Sequence, residues 1–183
     1  MRGRLALVQL RVDLGETWIL VLSGLAYAIS QATILVIVRP LGSSLLRLQC
    51  LGFSAEETLH VFRHWQETGV LALYQAHFLL DDTHWVWYAL FFTAVLCRLF
   101  ELRGVAHRHD WILLLPLASG LLDAFENRLQ HLFLSVPDFS RIADPLPLLS
   151  TVASNLKWAL ALGYVGVALV LLTSTRRARS PVG

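Results

Sequence analysis

Charge is what this sequence has least of. Only 15% of its 183 residues are Asp, Glu, Lys or Arg, and 56% are hydrophobic. An ordinary soluble domain carries about 25% charged residues. The shortage argues against an extended disordered chain, a coiled coil and a soluble enzyme. The net charge is +2, and the basic residues are not gathered on one polar face, so no nucleic-acid partner is expected. Cysteine is scarce as well. Cys97 falls in an apolar run and Cys50 in a loop, so no disulfide is expected. Lysine is almost missing: fourteen of the fifteen basic residues are Arg, and the one Lys, Lys157, lies inside an apolar segment. There is no G-x-S-x-G, no Gly-rich phosphate loop and no C-x-x-C, which leaves the corresponding nucleotide and redox chemistries without support. Internal repeats and low-complexity tracts are also lacking.

What is present suits lipid as the solvent. The mean hydropathy is +0.59. A length of 183 residues allows one domain, and a bilayer span takes about 20 apolar residues. Four candidate spans follow. The first runs from about Thr17 to Val38, between Glu16 and Arg39-Pro40. Arg2, Arg4 and Arg11 with Ala26-Tyr27-Ala28 resemble a signal peptide, but apolar sequence continues to Val38, which favours an uncleaved signal-anchor. The second runs from about Trp85 to Phe100; Val70 to Leu80 is also mostly apolar, so an earlier start near Val70 is open. The third covers Trp111 to Leu134, with Pro116 near its start, and the fourth Val152 to Leu172. Trp18, Trp85, Trp87, Trp111 and Trp158 sit near span ends as interfacial anchors.

Four spans put both termini on one side. That side collects Arg2, Arg4, Arg11, Arg103, Arg108, Arg176, Arg177 and Arg179, against Arg39, Arg47, Arg63 and Arg141 on the other. The positive-inside rule then places both termini in the cytoplasm. Segment 41–83 faces outward. In it, Ser54-Ala-Glu-Glu57 reads as a capping box and Gly69 as a stop, with Leu59, Phe62 and Trp65 giving an apolar face. This predicts an amphipathic helix lying on the outer surface. The expected fold is all-α: an integral membrane four-helix bundle with an extra amphipathic interfacial helix between spans one and two.

The few charges inside the spans carry the functional reading. An ionisable residue in a span costs about 2.5–3.5 kcal/mol on insertion scales, so it usually faces the bundle interior and marks function. In the third span Asp123, Glu126, Asn127 and Gln130 fall on one helical face, while Arg128 points elsewhere. Tyr74, His77, Asp81, His84 and Tyr88 share a face of the second span, provided that helix is continuous through Asp81-Asp82-Thr83. Ser150, Ser154, Lys157 and Tyr164 share one in the fourth. Gly24, Ala28 and Ala32 make a small-residue stripe in the first, suited to close helix approach. The antiparallel spans bring these groups to one level, which predicts a polar cavity in the outer half of the bundle. It would be lined by Tyr74, His77, Asp81, His84, Tyr88, Asp123, Glu126, Asn127 and Lys157. Lys157 is the natural counter-ion for Asp123 or Glu126. One carboxylate is then left to be protonated, or paired with a histidine or Arg128.

Three functions fit such a cluster. In a binding or transport protein, Asp123 and Glu126 bind a cationic group or relay protons while Lys157 tunes them. In a lipid-modifying enzyme, Glu126 or His84 acts as general base and Asn127 orients the substrate. In a structural or accessory subunit, the same residues lock helices together, at about 0.6 kcal/mol per pair. No cofactor and no metal are expected. His60 and His64 read as a solvated helix face, and a metal held by His77, Asp81 and His84 with Asp123 and Glu126 is the weaker reading. Membrane lipids are the expected partners, with a homodimer an option because four spans are few for a complete transporter.

Several stretches together resemble a group of small bacterial four-span membrane proteins. They are Ala55-Glu56-Glu57 leading to Gly69 and Tyr74, Asp81 followed by Tyr88, Leu115-Pro116-Leu117, the Asp123/Glu126-Asn127 run, and Ala153-Ser154 followed by Lys157-Trp158. The resemblance covers about residues 55 to 160, with D-x-x-E-N and the later Lys as its distinctive part. It implies a bacterial plasma-membrane setting and a third-span motif paired with a fourth-span Lys. It supplies no reaction.

Overall fold

The computed structural model describes residues 2–174, and these are all-helical with no strand among them. Arg176, Arg177 and Arg179, and the side chains of Arg2 and Arg4, lie outside what is described. Seven α-helices follow in order: α1 Arg2–Leu14, α2 Thr17–Val38, α3 Ser43–Leu51, α4 Ala55–Glu67, α5 Leu71–Arg103, α6 Leu115–Ser135 and α7 Leu146–Thr173. Short 3-10 turns at Arg39–Leu41, His107–Leu114 and Phe139–Arg141 link some of them. Three helices, α2, α5 and α7, are long and apolar enough to cross a membrane, which is consistent with a membrane protein. The helix α6 carries Asp123, Glu126 and Arg128 and is not among those three.

The helix α2 keeps the bounds read from sequence, because Pro40 inside the turn Arg39–Leu41 ends the α-helical run. The helix α5 is one piece of 33 residues. Asp81, Asp82 and Thr83 cost a few tenths of a kcal/mol each in helix propensity. Each also has a use: Asp81 points into the bundle, Asp82 pairs with His131 of α6, and Thr83 Oγ1 donates to Leu80 O at 3.2 Å. The helix α7 starts at Leu146, earlier than Val152, since Pro147 is well placed in a first turn.

The centre of the fold is α5, which packs against α2, α6 and α7, while α6 and α7 pack along each other. At Gly120 of α6 an added Cβ would lie 3.1 Å from Trp85 Cε3 and 3.2 Å from Trp85 O, so glycine lets α5 and α6 approach closely. The small-residue stripe of α2 is divided. Gly24 meets the Phe91 ring on α5, but Ala28 and Ala32 are exposed.

The segment between α2 and α5 differs from its sequence reading. It holds two helices, and α4 does not lie free on a surface. Thr58, Val61, Phe62 and Trp65 are buried in a core with Tyr74, Phe78, Leu129 and Phe133, so α4 forms part of a collar over one end of the bundle. Leu59 is only partly buried. The capping box does form. Ser54 Oγ accepts from Glu57 N–H at 3.2 Å, and Glu57 Oε2 accepts from Phe53 N–H at 3.0 Å. Gly69, at φ +73°, stops the helix, with Val70 N–H donating to Trp65 O at 2.9 Å.

A second apolar core fills the opposite end, around Leu96, Cys97, Phe100, Leu113 and Tyr164. Arg11 of α1 is 5% exposed there and donates to Asp110 Oδ1 and Val105 O, each at 3.0 Å. His107 Nδ1 lies 2.8 Å from Asp110 Oδ2. Arg11 counts in sequence among the orientation-setting charges; folded, it is a buried partner of Asp110.

Candidate functional site

Between the two apolar cores, α5, α6 and α7 hold a polar layer. Lys157 of α7 reaches across to α6, its Nζ lying 2.5 Å from Asp123 Oδ1 and 2.5 Å from Glu126 Oε2. The spacing of the two acids, i and i+3, puts both carboxylates on the side of α6 that faces α7. Lys157 therefore serves both acids. Its ammonium is equally close to one oxygen of each. The three residues are 4%, 2% and 9% exposed, so their attraction is weakly screened by solvent. Ser119 Oγ, one turn before Asp123, donates to Lys157 O at 3.1 Å and ties the two backbones together at the same level.

Around this ion cluster lie most of the other candidates. Asp81 faces Asp123, Glu126, Asn127 and Lys157 from α5, and Tyr88 faces Ser119 and Asp123. His77 sits one turn before Asp81, with Nε2 at 3.8 Å from Asp81 Oδ2 and Nδ1 against the Tyr74 carbonyl. Tyr74 donates to Gln130 Oε1 at 3.0 Å, and Gln130 Nε2 donates to Ser150 Oγ at 2.8 Å, so a hydrogen-bond chain crosses α5, α6 and α7. His84 is turned to α2 instead. Its Nδ1 is 2.8 Å from Ser30 Oγ and its Nε2 is 3.1 Å from Gln31 Oε1, with Tyr27 stacked on its ring. Both ring nitrogens are thus engaged in holding α2 against α5.

Asn127 and Ser154 are buried in the same layer, Asn127 beside Asp81 and Ser154 beside Glu126. Asn127 also borders a groove of about 650 Å³ between α5 and α6, and it is the one member of the nine-residue set that does so. Asp82, Trp85, Arg128, His131 and Ser135 line the same groove. The ionised groups are therefore packed, with open space beside them and not around them. Among the described residues, no group of three or more His, Cys, Asp or Glu side chains is placed to hold a metal ion. His60 and His64 border a separate shallow groove with Arg47 and Cys50.

Sequence reasoning missed Ser119 and the pairing of Asp82 with His131, whose Nε2 is 3.0 Å from each carboxylate oxygen. Ser119 was findable as the small polar residue four positions before Asp123. Compared with known proteins, the chain matches no family model, and no curated protein or solved structure is similar to it.

Proposed function

We propose that the chain is a four-span protein of a bacterial plasma membrane that binds a small or lipid-like ligand at the α5–α6 groove, beside the Asp123–Glu126–Lys157 cluster. The fourth span is α6. Its 21 residues extend about 31 Å, the depth of a hydrocarbon core. Its two acids are turned inward onto Lys157, which lowers the cost of placing them there. Both termini would be cytoplasmic, putting the collar of α3 and α4 outside and the cluster in the outer half. Kinship with the D-x-x-E-N group is part of the same proposal.

One observation carries the binding reading. A groove of about 650 Å³ opens between α5 and α6 beside the packed cluster, with Asp82, Trp85, Arg128 and His131 along it. The exposed Arg128 guanidinium offers a ligand group a charge-assisted hydrogen bond there. The test is native mass spectrometry of the full chain released from detergent. The wild type is expected to retain a small or lipid-like adduct, and Arg128→Gln, at an exposed groove position, to lose several-fold of it at unchanged melting temperature. Equal retention by the two proteins refutes the reading.

A second reading, the structural lock, is favoured by a different observation: Lys157 engages both acids at 2.5 Å. On that reading the cluster only fixes α6 against α7, and Arg128→Gln changes no adduct.

A further inference from the structure

The polar layer is out of balance in charge. Asp81, Asp123 and Glu126 face into it from two helices, and Lys157 is the ammonium that answers them. Three carboxylates against one ammonium leave two negative charges uncompensated if every acid is ionised. The imbalance falls on one residue. Lys157 Nζ is taken up by the two acids of α6, at 2.5 Å from each. Asp81, on α5, shares in no such contact. It accepts a hydrogen bond from Asn127, and its ion-pair partner among the described residues is His77, with Nε2 at 3.8 Å from Oδ2. An amide hydrogen bond does not cancel a charge. A buried carboxylate without a close cation takes up a proton instead.

His77 decides how that proton is received. Its Nδ1 lies against the Tyr74 carbonyl, which can only accept, so Nδ1 carries the proton of the neutral ring. Nε2 is then a bare acceptor, and it is turned toward Asp81 Oδ2. A protonated carboxyl is a donor and complements it. An imidazolium facing a carboxylate would set two buried charges 3.8 Å apart with no hydrogen bond between them, a costly arrangement. The surroundings are mixed in sign. Asp81 is faced by Asp123 and Glu126 from α6 and by Lys157 from α7, and His77 by Asp82 on its own helix, His131 of α6 and Lys157. His84, one turn after Asp81, is engaged with Ser30 and Gln31 of α2, both neutral. The Asp81 side chain is 17% exposed, against 5% for Asp123, 2% for Glu126 and 11% for Lys157, so it is the acid through which the layer meets water.

We propose that Asp81 and His77 form a proton-binding site, in which Asp81 holds one exchangeable proton on Oδ2 and presents it to His77 Nε2. Deprotonation breaks the Asp81 O–H bond and passes the proton to water. It leaves the layer with two surplus negative charges in place of one, and sets α5 against the acids of α6. The site is independent of what the α5–α6 groove binds.

The experiment records infrared difference spectra of the full chain in detergent between about pH 6 and about pH 9, above the range where ordinary Asp and Glu titrate. The wild type is expected to lose one carboxylic-acid carbonyl band per chain, and Asp81→Asn to show no such loss. Thermal scans at the same two pH values show that the variant is folded and give a second readout. The folded chain keeps a proton that the unfolded chain has released, so the wild type is expected to melt lower at the higher pH, and Asp81→Asn to lose part of that difference. A wild type with no carboxylic-acid band at the lower pH overturns the proposal, whether or not the variant folds. So does a band that persists in Asp81→Asn, or a variant whose melting point shifts with pH as much as the wild type's. Each of these outcomes leaves ligand binding at the groove untouched.

Discussion

Replacing Lys157 by Met removes the positive charge that two buried carboxylates share. The geometry sets the scale. Two oxygens each 2.5 Å from one nitrogen can be no more than about 5 Å apart. At an effective dielectric of about 20, their mutual repulsion is then at least ~3 kcal/mol, against ~7 kcal/mol of attraction for each lysine contact. The variant cannot keep both acids ionised at that spacing. It must protonate one, admit water or move the helices. Breaking a buried pair in this way typically costs about 3–5 kcal/mol. For a chain of this length each kcal/mol corresponds to about 2–4 °C, so Lys157→Met should melt roughly 6–20 °C below the wild type. The assay is tryptophan fluorescence during a thermal scan in detergent at one fixed scan rate, with the six tryptophans as reporters. Adding Asp123→Asn and Glu126→Gln to Lys157→Met should restore most of the loss, because the two carboxylates that shared the lysine are then neutral. A Lys157→Met protein melting within about 2 °C of the wild type would refute the shared-counter-ion reasoning. So would a triple variant that melts no higher than Lys157→Met.

Two other outcomes follow from the ends of the bundle. Arg11→Gln leaves Asp110, 0% exposed, with His107 in place of its arginine, so α1 and the turn His107–Leu114 should lose protection in hydrogen exchange while the Asp123 region keeps it. Ser54→Ala deletes the cap of α4 at a cost of about 1 kcal/mol, and exchange of the α4 amides should quicken by about fivefold with little change elsewhere.

Much of the helix content was legible because its punctuation is local. Glu16 and Arg39-Pro40 bound α2, and Ser54, Glu57 and Gly69 bound α4. The Asp123, Glu126 and Lys157 association was legible too, since lone charges in apolar segments have few partners to choose from. Other features depend on tertiary context. Arg11 and Asp110 are 99 positions apart and each looks like an ordinary loop charge. An apolar helix face reads the same whether lipid or protein covers it, so α4 seemed interfacial until Phe62 and Trp65 proved to be core. His84 shares a face with Asp81 and Tyr88, but a central helix touches several neighbours, and this part of its face belongs to α2. Arg128 points away from the acids, as its helical position predicts, so it is no partner for the second carboxylate and lies in the groove instead.

The length of α5 has a mechanical consequence. Its 33 residues span about 50 Å, some 20 Å more than a hydrocarbon core. The surplus at the Leu71 end is clasped by α3, α4 and the turn Phe139–Arg141, which share one apolar core with Tyr74 and Phe78. In a bilayer that end is a rigid plug whose distance to Lys157 is fixed by protein packing. The other end, near Arg103, is closed by the second apolar core, to which α1 and the turn His107–Leu114 add the Arg11–Asp110 pair. Thinner or thicker membranes would therefore be met by tilt of the whole bundle, while the polar layer stays at a fixed distance from both ends.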